Sequence, residues 1–385
     1  MNGTYADVSD ISPNELEYYY SYAEVDLRAI RQNLKNMQAA CDRKIIPVAK
    51  GNAWGQGLVP VVSSLFDKGG CDTVAVAQVI EGKKIRDAGY KDQTIMILSG
   101  VPFHAIPYVV KYNLLMEVYN IRTVEILSAE VRKAGLDKFP VQIKVDSGLH
   151  RIGVTPEDFE WLIRAIEEAG NLEIVGIMTH YTEESEAKMQ EQYDVFKEVV
   201  LKFKAMGYDP QYISAGCSTN IEFPKEDICT HLRAGWGYIA YADDIYDYFY
   251  GNKPSLSLRA FITNIVDLKP GDTLGYSDKV LDKETRVACI SIGLCDGVYR
   301  RMVMNGGPLL IKGKYAHYLD FGMDQIMIDV TGIDCQIGDE VTLYGRDKYS
   351  DAFLGRKEVS KYSDGNCSIL ELYLTDRVKR VYIDD

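Results

Sequence analysis

No segment of the sequence approaches the roughly 18 uncharged apolar residues that a membrane-spanning helix needs. The first 22 residues are polar and acidic, and they lack the basic start and the apolar stretch of a signal peptide. The eight cysteines include no C-x-x-C pair, which argues against a zinc site or a disulfide framework and favours a reducing compartment. From these absences we expect a cytoplasmic protein that does not bind membranes.

Basic clusters are also missing, since no run of lysine and arginine is longer than two residues and the net charge is −13 at pH 7. This composition argues against nucleic acids and acidic membranes as partners. Acidic residues and histidines do not cluster at metal-ligand spacing either, so we expect no metal site. The chain is 46% hydrophobic and 26% charged, which is ordinary for a soluble globular protein.

Short apolar runs alternate with longer amphipathic segments from about residue 25 to about residue 240. The runs are residues 45–50, 73–77, 94–98, 114–118, 140–145, 173–178, 211–216 and 230–237. Eight strand–helix repeats in roughly 215 residues match the count and length of a (β/α)₈ barrel. A doubly wound open sheet is the alternative, but no G-x-G-x-x-G follows the first run, so its dinucleotide-binding form has no support.

The sequence pattern changes after about residue 250, where short β-rich segments are separated by turns that contain glycine and aspartate. We therefore expect an α/β protein in three parts. These are an N-terminal extension (1–22), a TIM-like (β/α)₈ barrel (23–250) and a mostly-β C-terminal domain (251–385).

Residues 45–56 read IIPVAKGNAWGQ, in which Lys50 stands where the first apolar strand meets glycine. An ammonium group at the end of a buried strand is costly unless it has a function. The alternative is a lysine that extends its charged end out of the strand into water.

Active-site residues of a TIM barrel lie at the carboxyl ends of its strands, so polar residues there should form a coherent set. In chain order they are Lys50, Asp146, Arg151, His180, Ser218 and Arg233. Neighbouring arginines lower the pKa of a lysine, and a neutral amine can form an imine with an aldehyde.

Backbone amides at residues 216–218 and 235–237 could bind a phosphate. An aldehyde together with a phosphate indicates pyridoxal 5'-phosphate (PLP), while Schiff-base aldolases remain open on this reasoning alone.

Nine motifs in these regions are AEVDLRAIRQNL, VAKGNAWGQG, KVDSGLHRIG, GIMTHY, LRAGWGY, KPSLSL, KPGDTLGYSD, SIGLCDGVYR and MDQIMID. In this order they resemble the alanine racemases, which are PLP enzymes built from a barrel and a β domain. The resemblance extends from residue 23 to the RVKRVY segment at 377, which is nearly the whole chain.

The resemblance implies a catalytic pair on opposite faces of the substrate. Lys50 matches the lysine that holds PLP as an imine and acts as a base, and Tyr276 matches the tyrosine of the opposite face. Met323 matches a residue whose backbone amide contacts the substrate carboxylate. Because Tyr276 and Met323 come from the partner subunit in the family, the resemblance implies a homodimer with shared active sites.

Other matches concern the cofactor ring and its surroundings. Arg233 matches the arginine that faces the pyridine nitrogen, and His180 the histidine stacked on the ring. Arg151 matches the arginine that contacts the substrate carboxylate. Lys144 matches a lysine that is often carboxylated, and a bare lysine beside Arg151 would be repelled by it, which gives the modification a physical motive.

The phosphate contacts of the family match Trp54, Ser218, Gly235 and Trp236. The chain departs from the family at four positions: Trp54 and Asp376 replace tyrosines, Ser214 a histidine and Ser277 a glycine. Losing a tyrosine at Asp376 would enlarge the pocket and make it more polar, unless a neighbour such as Tyr373 takes its place.

These observations predict a PLP-dependent isomerase that interconverts L- and D-alanine. The alternatives are a racemase that prefers serine, lysine or ornithine, a PLP-dependent decarboxylase of the same architecture, a PLP-binding barrel without catalysis, and a barrel enzyme without PLP. Arg233 argues against the decarboxylase, which would place a carboxylate at the pyridine nitrogen. The retained β domain argues against the non-catalytic barrel.

Overall fold

A computed structural model describes residues 18–182, 185–218, 221–223, 228–239, 251–276, 279–363 and 369–384. Within them the chain forms two compact units. The barrel unit comprises Arg31–Ala53 and Leu58–Ile239. The β unit comprises the described residues up to Ile30, Trp54–Gly57 and those from Gly251 onward.

Strands occur in both units. In chain order they are β1 (Ser21–Asp26), β2 (Lys44–Pro47), β3 (Thr73–Val76), β4 (Thr94–Ile97), β5 (Leu115–Val118), β6 (Phe139–Lys144), β7 (Leu172–Met178), β8 (Tyr212–Ala215), β9 (His231–Ala234), β10 (Leu256–Leu268), β11 (Thr273–Leu274), β12 (Lys279–Val280), β13 (Thr285–Ile290), β14 (Pro308–Ile311), β15 (Lys314–Phe321), β16 (Ile326–Asp329), β17 (Glu340–Arg346), β18 (Phe353–Leu354) and β19 (Lys379–Ile383).

Helices connect most of the barrel strands. The helices of the described residues are α1 (Leu27–Ala39), α2 (Leu58–Asp67), α3 (Val79–Asp87), α4 (Ile106–Lys111), α5 (Ile121–Lys133), α6 (Phe159–Ala169), α7 (Glu186–Ala205), α8 (Trp236–Ile239), α9 (Arg300–Met304), α10 (Arg356–Ser360) and α11 (Ile369–Leu372), with 3₁₀ turns at Phe103–Ala105 and Leu294–Asp296. Helix α6 ends at Gly170, whose φ of 75° is the left-handed conformation that commonly terminates a helix.

The predicted (β/α)₈ barrel is confirmed. Strands β2 to β9 form one parallel sheet in the order β2-β9-β8-β7-β6-β5-β4-β3. The two end strands then meet, because Val48 forms a bridge with Ala75 and the Ala49 N–H donates to the Ala75 carbonyl at 2.8 Å. Each of the eight predicted apolar runs supplies one of these strands, and the closed order excludes the open doubly wound sheet.

One end of the barrel interior is apolar. Its buried side chains come from alternate positions of several strands and are Ile46, Val48, Ala75, Met96, Leu115 and Tyr212. Side chains two positions further along a strand point to the same interior but lie nearer the carboxyl ends. Two positions after Val48, Leu115 and Tyr212 the residues are polar, namely Lys50, Glu117 and Ser214, and they belong to the candidate site.

The β unit contains a nine-stranded sheet in the order β18-β17-β14-β15-β16-β13-β10-β1-β19. Strand β1 is antiparallel to β10 and parallel to β19, so residues 21–26 join this sheet rather than the barrel. The Asp26 carboxylate at the end of β1 accepts from the N–H groups of Arg28 and Ala29, both at 3.0 Å, and so begins helix α1. The mostly-β prediction for the C-terminal region is confirmed, and β1 is an addition to it from the other end of the chain.

Within the described part of the chain, no helix combines the length and the apolar character that a membrane crossing requires.

Tyr22 and Glu340 provide a test of the position of β1. The buried Tyr22 hydroxyl donates to Glu340 Oε2 at 2.8 Å, while Lys348 donates to the other oxygen at 2.6 Å. We expect Tyr22→Phe to lower the free energy of unfolding by about 1–3 kcal/mol, because a buried carboxylate loses a donor. Urea denaturation measures this change. The control Tyr20→Phe, on a side chain that is 74% exposed, should stay within about 0.5 kcal/mol, and equal effects would contradict this position of β1.

Candidate active site

Lys50, three residues after the end of strand β2, begins an unusual left-handed turn. The φ angles are 65° at Gly51, 57° at Asn52, 50° at Ala53 and 56° at Trp54. For residues other than glycine this conformation costs roughly 1–2 kcal/mol each, so the turn must be stabilised by its surroundings. The turn lets the chain leave the barrel strand at once and leaves Lys50 at the carboxyl end of the barrel.

Glu81, near the start of helix α3, holds the beginning of this turn. Its Oε1 accepts from the Gly51 N–H at 2.7 Å, and its Oε2 accepts from the N–H groups of Ala77 and Gln78 at 2.8 and 3.0 Å. Asn52 contributes further, because its Oδ1 accepts from the Leu58 N–H at 2.9 Å. Sequence reasoning missed Glu81, although the Q-x-x-E pattern at residues 78–81 is a capping signal.

The electrostatic setting of Lys50 favours its neutral amine. Desolvation lowers the pKa of Lys50, and the positive charge of Arg151 lowers it further. Glu81 and Cys217 act in the opposite direction but do not cancel the shift. The residue is open to solvent at the carboxyl end of the barrel, so a molecule in solution can reach it.

Arg151 lies in a loop that turns back onto strand β6. Val145 forms a bridge with Val154, and the Val154 N–H donates to the Lys144 carbonyl at 2.8 Å. Gly153 permits this return, since its φ is 149° and a Cβ there would lie 2.3 Å from the backbone nitrogen of Asp146. The Arg151 side chain is exposed, and its charge acts on Lys50.

Arg233 is buried on strand β9 and held by neighbouring strands. Its Nη1 donates to Ser214 Oγ at 2.7 Å and its Nη2 to the Thr179 carbonyl at 2.6 Å. Ser214, which the sequence resemblance matched to a histidine, accepts this hydrogen bond from Arg233. Burial lowers the pKa of Arg233, but a guanidinium begins so high that the group stays charged at neutral pH.

His180 is half-buried directly after strand β7 and Thr179. Desolvation lowers the pKa of His180 to about 2, with contributions from the charges of Arg233, Lys144, Arg151 and Lys50. The imidazole is therefore neutral, and a neutral ring can stack on another aromatic ring without adding a charge.

Ser218 and the start of helix α8 form a compact group of small residues. Ser218 Oγ accepts from the N–H groups of Gly235 and Gly237 at 2.9 and 3.3 Å. A Cβ on Gly237 would lie 3.0 Å from the Ser218 Cβ and 2.9 Å from Met37 Cε, so a larger residue would separate the two segments. Trp236 is half-buried between these glycines.

Lys144 is 4% exposed inside the barrel, and it is accompanied by two polar residues that sequence reasoning missed. Gln142 lies two positions earlier on β6, and Glu117 is the register partner of Gln142 on β5. Burial lowers the pKa of Lys144 to about 8 and raises the pKa of Glu117. In the sequence, Glu117 is a single acid inside an apolar run, which gives little signal of an interior position.

Tyr276 and Met323 belong to the β unit, and both are exposed, by 86% and 59%. The Met323 carbonyl accepts from the Cys295 N–H at 2.8 Å, which fixes its loop against a 3₁₀ turn. Arg377 joins the same region by ion pairs with Asp296 and Asp324 at 3.0 and 2.8 Å.

Asp376, next to Arg377, is exposed, and Trp54 is half-buried at the end of the left-handed turn. Tyr373, the suggested replacement for the missing tyrosine, stacks on Tyr299 with ring centroids 6.1 Å apart. Ser277 lies outside the described residues.

The structure thus brings Lys50, Lys144, Arg151, His180, Ser218, Arg233, Gly235 and Trp236 into the barrel unit, and Trp54, Tyr276 and Met323 into the β unit.

Substitution of Glu81 tests the support of the Lys50 turn. We expect Glu81→Gln to lower the free energy of unfolding by about 1–3 kcal/mol, because one of the two acceptor oxygens becomes an N–H₂ donor facing backbone donors. The pKa of Lys50 should fall further, since Glu81 raises it. Urea denaturation and pH-dependent labelling of the cofactor-free lysine measure the two effects. Glu125→Gln, at a surface pair with Arg122, is the control, and similar losses in both variants would contradict this role.

Comparisons with known proteins agree with this architecture. Residues 25–242 match the family model described as alanine racemase, N-terminal domain, and residues 255–382 match alanine racemase, C-terminal domain. An alanine racemase from Halothermothrix orenii is 32% identical over 337 residues, which cover 84% of this chain and 87% of that one. One from Clostridium perfringens is 30% identical, with 85% and 86% covered.

Solved structures give the same result at the level of the fold. The structure of an alanine racemase from Clostridium difficile 630 is 27% identical with a TM-score of 0.86 and covers 94% of this chain and 96% of that one. An alanine racemase from Bacillus anthracis with bound L-Ala-P is also 27% identical, with a TM-score of 0.86 and 96% of both chains covered. Both family models and relatives of at least 30% identity extend over most of the chain, which therefore belongs to the alanine racemase family.

Proposed function

We propose that the protein is a PLP-dependent racemase that interconverts L- and D-alanine. The observation that supports this most directly is the setting of Lys50. It is an amine at the carboxyl end of a barrel whose pKa is lowered by desolvation and by the charge of Arg151, an effect that Glu81 does not cancel. Such an amine is a suitable nucleophile for an aldehyde cofactor and a suitable base for a proton on carbon.

The residues present fit PLP. Lys50 supplies the amine for the aldehyde, and Arg233 supplies a fixed donor for the pyridine nitrogen. Ser218 and the glycines at the start of helix α8, whose N–H groups donate to Ser218 Oγ, are the small-residue segment that would hold the phosphate. When bound, PLP supplies an electron sink that weakens the bond between the α-carbon of an amino acid and its hydrogen.

In this proposal each residue of the site has a separate role. Lys50 Nζ removes or returns the α-proton on one face, and the Tyr276 hydroxyl of a second subunit does so on the opposite face. Arg151 binds the substrate carboxylate, and the Met323 backbone amide of the second subunit donates a further hydrogen bond to the same carboxylate. Arg233, which cannot lose its proton at neutral pH, donates a hydrogen bond without protonating the ring, and this restrains side reactions that need a stronger electron sink.

A homodimer follows from the same proposal. Tyr276 and Met323 are exposed on the β unit, although the family places both next to the substrate of the partner subunit. An exposed catalytic tyrosine and an exposed methionine are consistent with a surface that completes another subunit's site. In this proposal the C-terminal β domain serves the partner's barrel.

A second candidate is a racemase that prefers a larger or more polar amino acid. Its support is the pair of departures at Asp376 and Trp54, where the family has tyrosines. Asp376 is exposed in a turn anchored through Arg377 to the Met323 loop, so a carboxylate replaces an aromatic ring near the expected substrate side chain.

A racemisation assay with added PLP on alanine, serine, lysine and ornithine tests both candidates. We expect Lys50→Ala and Tyr276→Phe each to reduce kcat by about 10²–10⁴-fold, because each removes one acid–base group. In deuterated water, Tyr276→Phe should still exchange the α-proton of one enantiomer without inverting it. Tyr315→Phe, on a tyrosine that is 56% exposed elsewhere in the β unit, is the matched control. Full racemisation by Tyr276→Phe would contradict the two-base proposal.

The substrate panel separates the two candidates. If alanine exceeds all other substrates by about a hundredfold in kcat/KM, which corresponds to about 2.7 kcal/mol, the enlarged-pocket candidate is wrong. If a polar substrate is preferred, Asp376→Tyr should shift the preference back towards alanine, and no shift would mean that Asp376 does not determine it.

A further inference from the structure

We propose that Arg380 is a positioning residue of the candidate site, because it holds the segment Trp54–Gly57 and the turn that carries Asp376 in one fixed arrangement. The segment follows directly on the Lys50 turn, and Asp376 is the carboxylate near the expected substrate side chain. The inference rests on the proposed function for its effect on activity, since Arg380 would act on cofactor and substrate only through these two parts of the chain.

The segment Trp54–Gly57 is embedded in the β unit. It belongs to that unit although the residues on both sides of it in the chain belong to the barrel unit. At Gly55, where φ is 85°, a Cβ would lie 2.0 Å from the carbonyl oxygen of Glu371, so only glycine allows this approach. The conformation of the chain just after the Lys50 turn therefore depends on residues of the β unit.

Gln56 anchors the same segment by its side chain, which is 0% exposed. Ser255 Oγ donates to Gln56 Oε1 at 2.9 Å. The Gln56 amide nitrogen lies 3.5 Å from Glu371 Oε2, and the buried Glu371 carboxylate forms an ion pair with Arg356. A buried amide is costly to leave without partners, so these contacts favour one position of the segment.

Arg380, on strand β19, joins this segment to another part of the chain. Its Nε donates to the Gly55 carbonyl at 3.0 Å. Its Nη1 donates to the carbonyls of Thr375 and Val378 at 2.6 and 2.8 Å, and its Nη2 to the Leu374 carbonyl at 2.9 Å. A guanidinium is planar and its donors have a fixed geometry, so one side chain sets the distance between the two segments.

Asp376 lies in the turn that Arg380 holds. The turn is closed by the Val378 N–H, which donates to the Thr375 carbonyl at 3.2 Å. Burial lowers the pKa of Arg380, and Asp376 is among the groups that act in the opposite direction. Because a guanidinium stays charged at neutral pH, Asp376 has a cation close to it. The arginine thus offsets the charge of the acid that stands where the resemblance expects a tyrosine.

Hydrogen–deuterium exchange of the holoenzyme, measured by mass spectrometry, tests this arrangement. Arg380→Lys keeps the charge but replaces the planar donors by one ammonium group. We expect about tenfold or more faster exchange in peptides that cover residues 51–58 and 374–378, because hydrogen bonds from a charged donor are lost. Peptides of strands β14 to β16 should not change. Arg286→Lys, at a surface pair with Asp267, is the matched control and should leave all of these peptides unchanged.

Two exchange results would overturn the proposal. One is unchanged exchange of both peptides in Arg380→Lys, and the other is an equal increase in every peptide of the β unit, which would mean a general effect on stability. Ser255→Ala is a second variant, since it removes only the donor to Gln56. It should speed exchange in residues 51–58 and leave residues 374–378 unchanged. Exchange needs no racemase activity, so failure of the proposed function and failure of this inference can be distinguished.

Kinetics and cofactor binding test the consequence for the site. We expect Arg380→Lys to raise the dissociation constant of PLP and to lower kcat/KM for alanine, each by roughly 10–100-fold, because small displacements of positioning groups are costly. In the double variant with Asp376→Asn the two effects on kcat/KM should not multiply, since Arg380 acts partly through Asp376. Unchanged values in Arg380→Lys, or effects that multiply as for independent sites, would contradict the positioning role.

Discussion

Desolvation of cationic side chains that also repel one another is the constraint on which the site depends at the carboxyl end of the barrel. Burial first, and then the charges of Arg233, Lys144, Arg151 and Lys50, lower the pKa of His180 to about 2, so its imidazole is neutral. The same effects favour the neutral form of Lys50. Guanidinium groups keep their charge under these conditions, whereas the imidazole of His180 is neutral and the neutral amine of Lys50 is favoured. The cluster thus contains permanent cations, which can bind anions, beside groups whose neutral form is favoured, which can react or stack.

The barrel geometry brings these charged and neutral side chains together. A closed parallel barrel brings the ends of eight strands together, so residues far apart in the chain become neighbours. The left-handed turn after Lys50 is the locally expensive part of the arrangement, and Glu81 and Asn52 stabilise it through backbone N–H groups. Arg151 reaches the same end only because Gly153 allows its loop to return to strand β6. The reactive lysine is therefore placed by neighbouring segments as much as by its own strand.

Most of the barrel was predictable because strands buried on both faces read as continuous apolar runs, and these runs are unambiguous at this spacing. Strand β1 was not assigned to the β sheet, because its partners β10 and β19 lie more than 200 residues away in the chain. The left-handed turn was also hidden. Only Gly51 and Gly55 hint at positive φ angles, and nothing in Ala53 or Trp54 indicates them.

Some of the site residues were also predictable from the sequence, and others were not. Lys50 and Arg233 stand out because a charged side chain in an apolar run is costly unless it has a function, and Arg151 because it closely follows such a run. Glu81 and Glu117 do not stand out in the sequence. Glu81 resembles an ordinary helix-capping residue, and Glu117 is a single acidic residue in an apolar strand. Their roles depend on contacts and charges between strands and loops, which a linear pattern does not contain.

The most direct test of the proposed chemistry is to identify the residue that holds the cofactor. The protein is incubated with PLP, reduced with borohydride, digested and analysed by mass spectrometry of its peptides. We predict a single pyridoxyl label on Lys50, formed more readily than in Arg151→Gln, where the pKa of Lys50 should be higher. A label on another lysine, or no label at all, would contradict the role of Lys50.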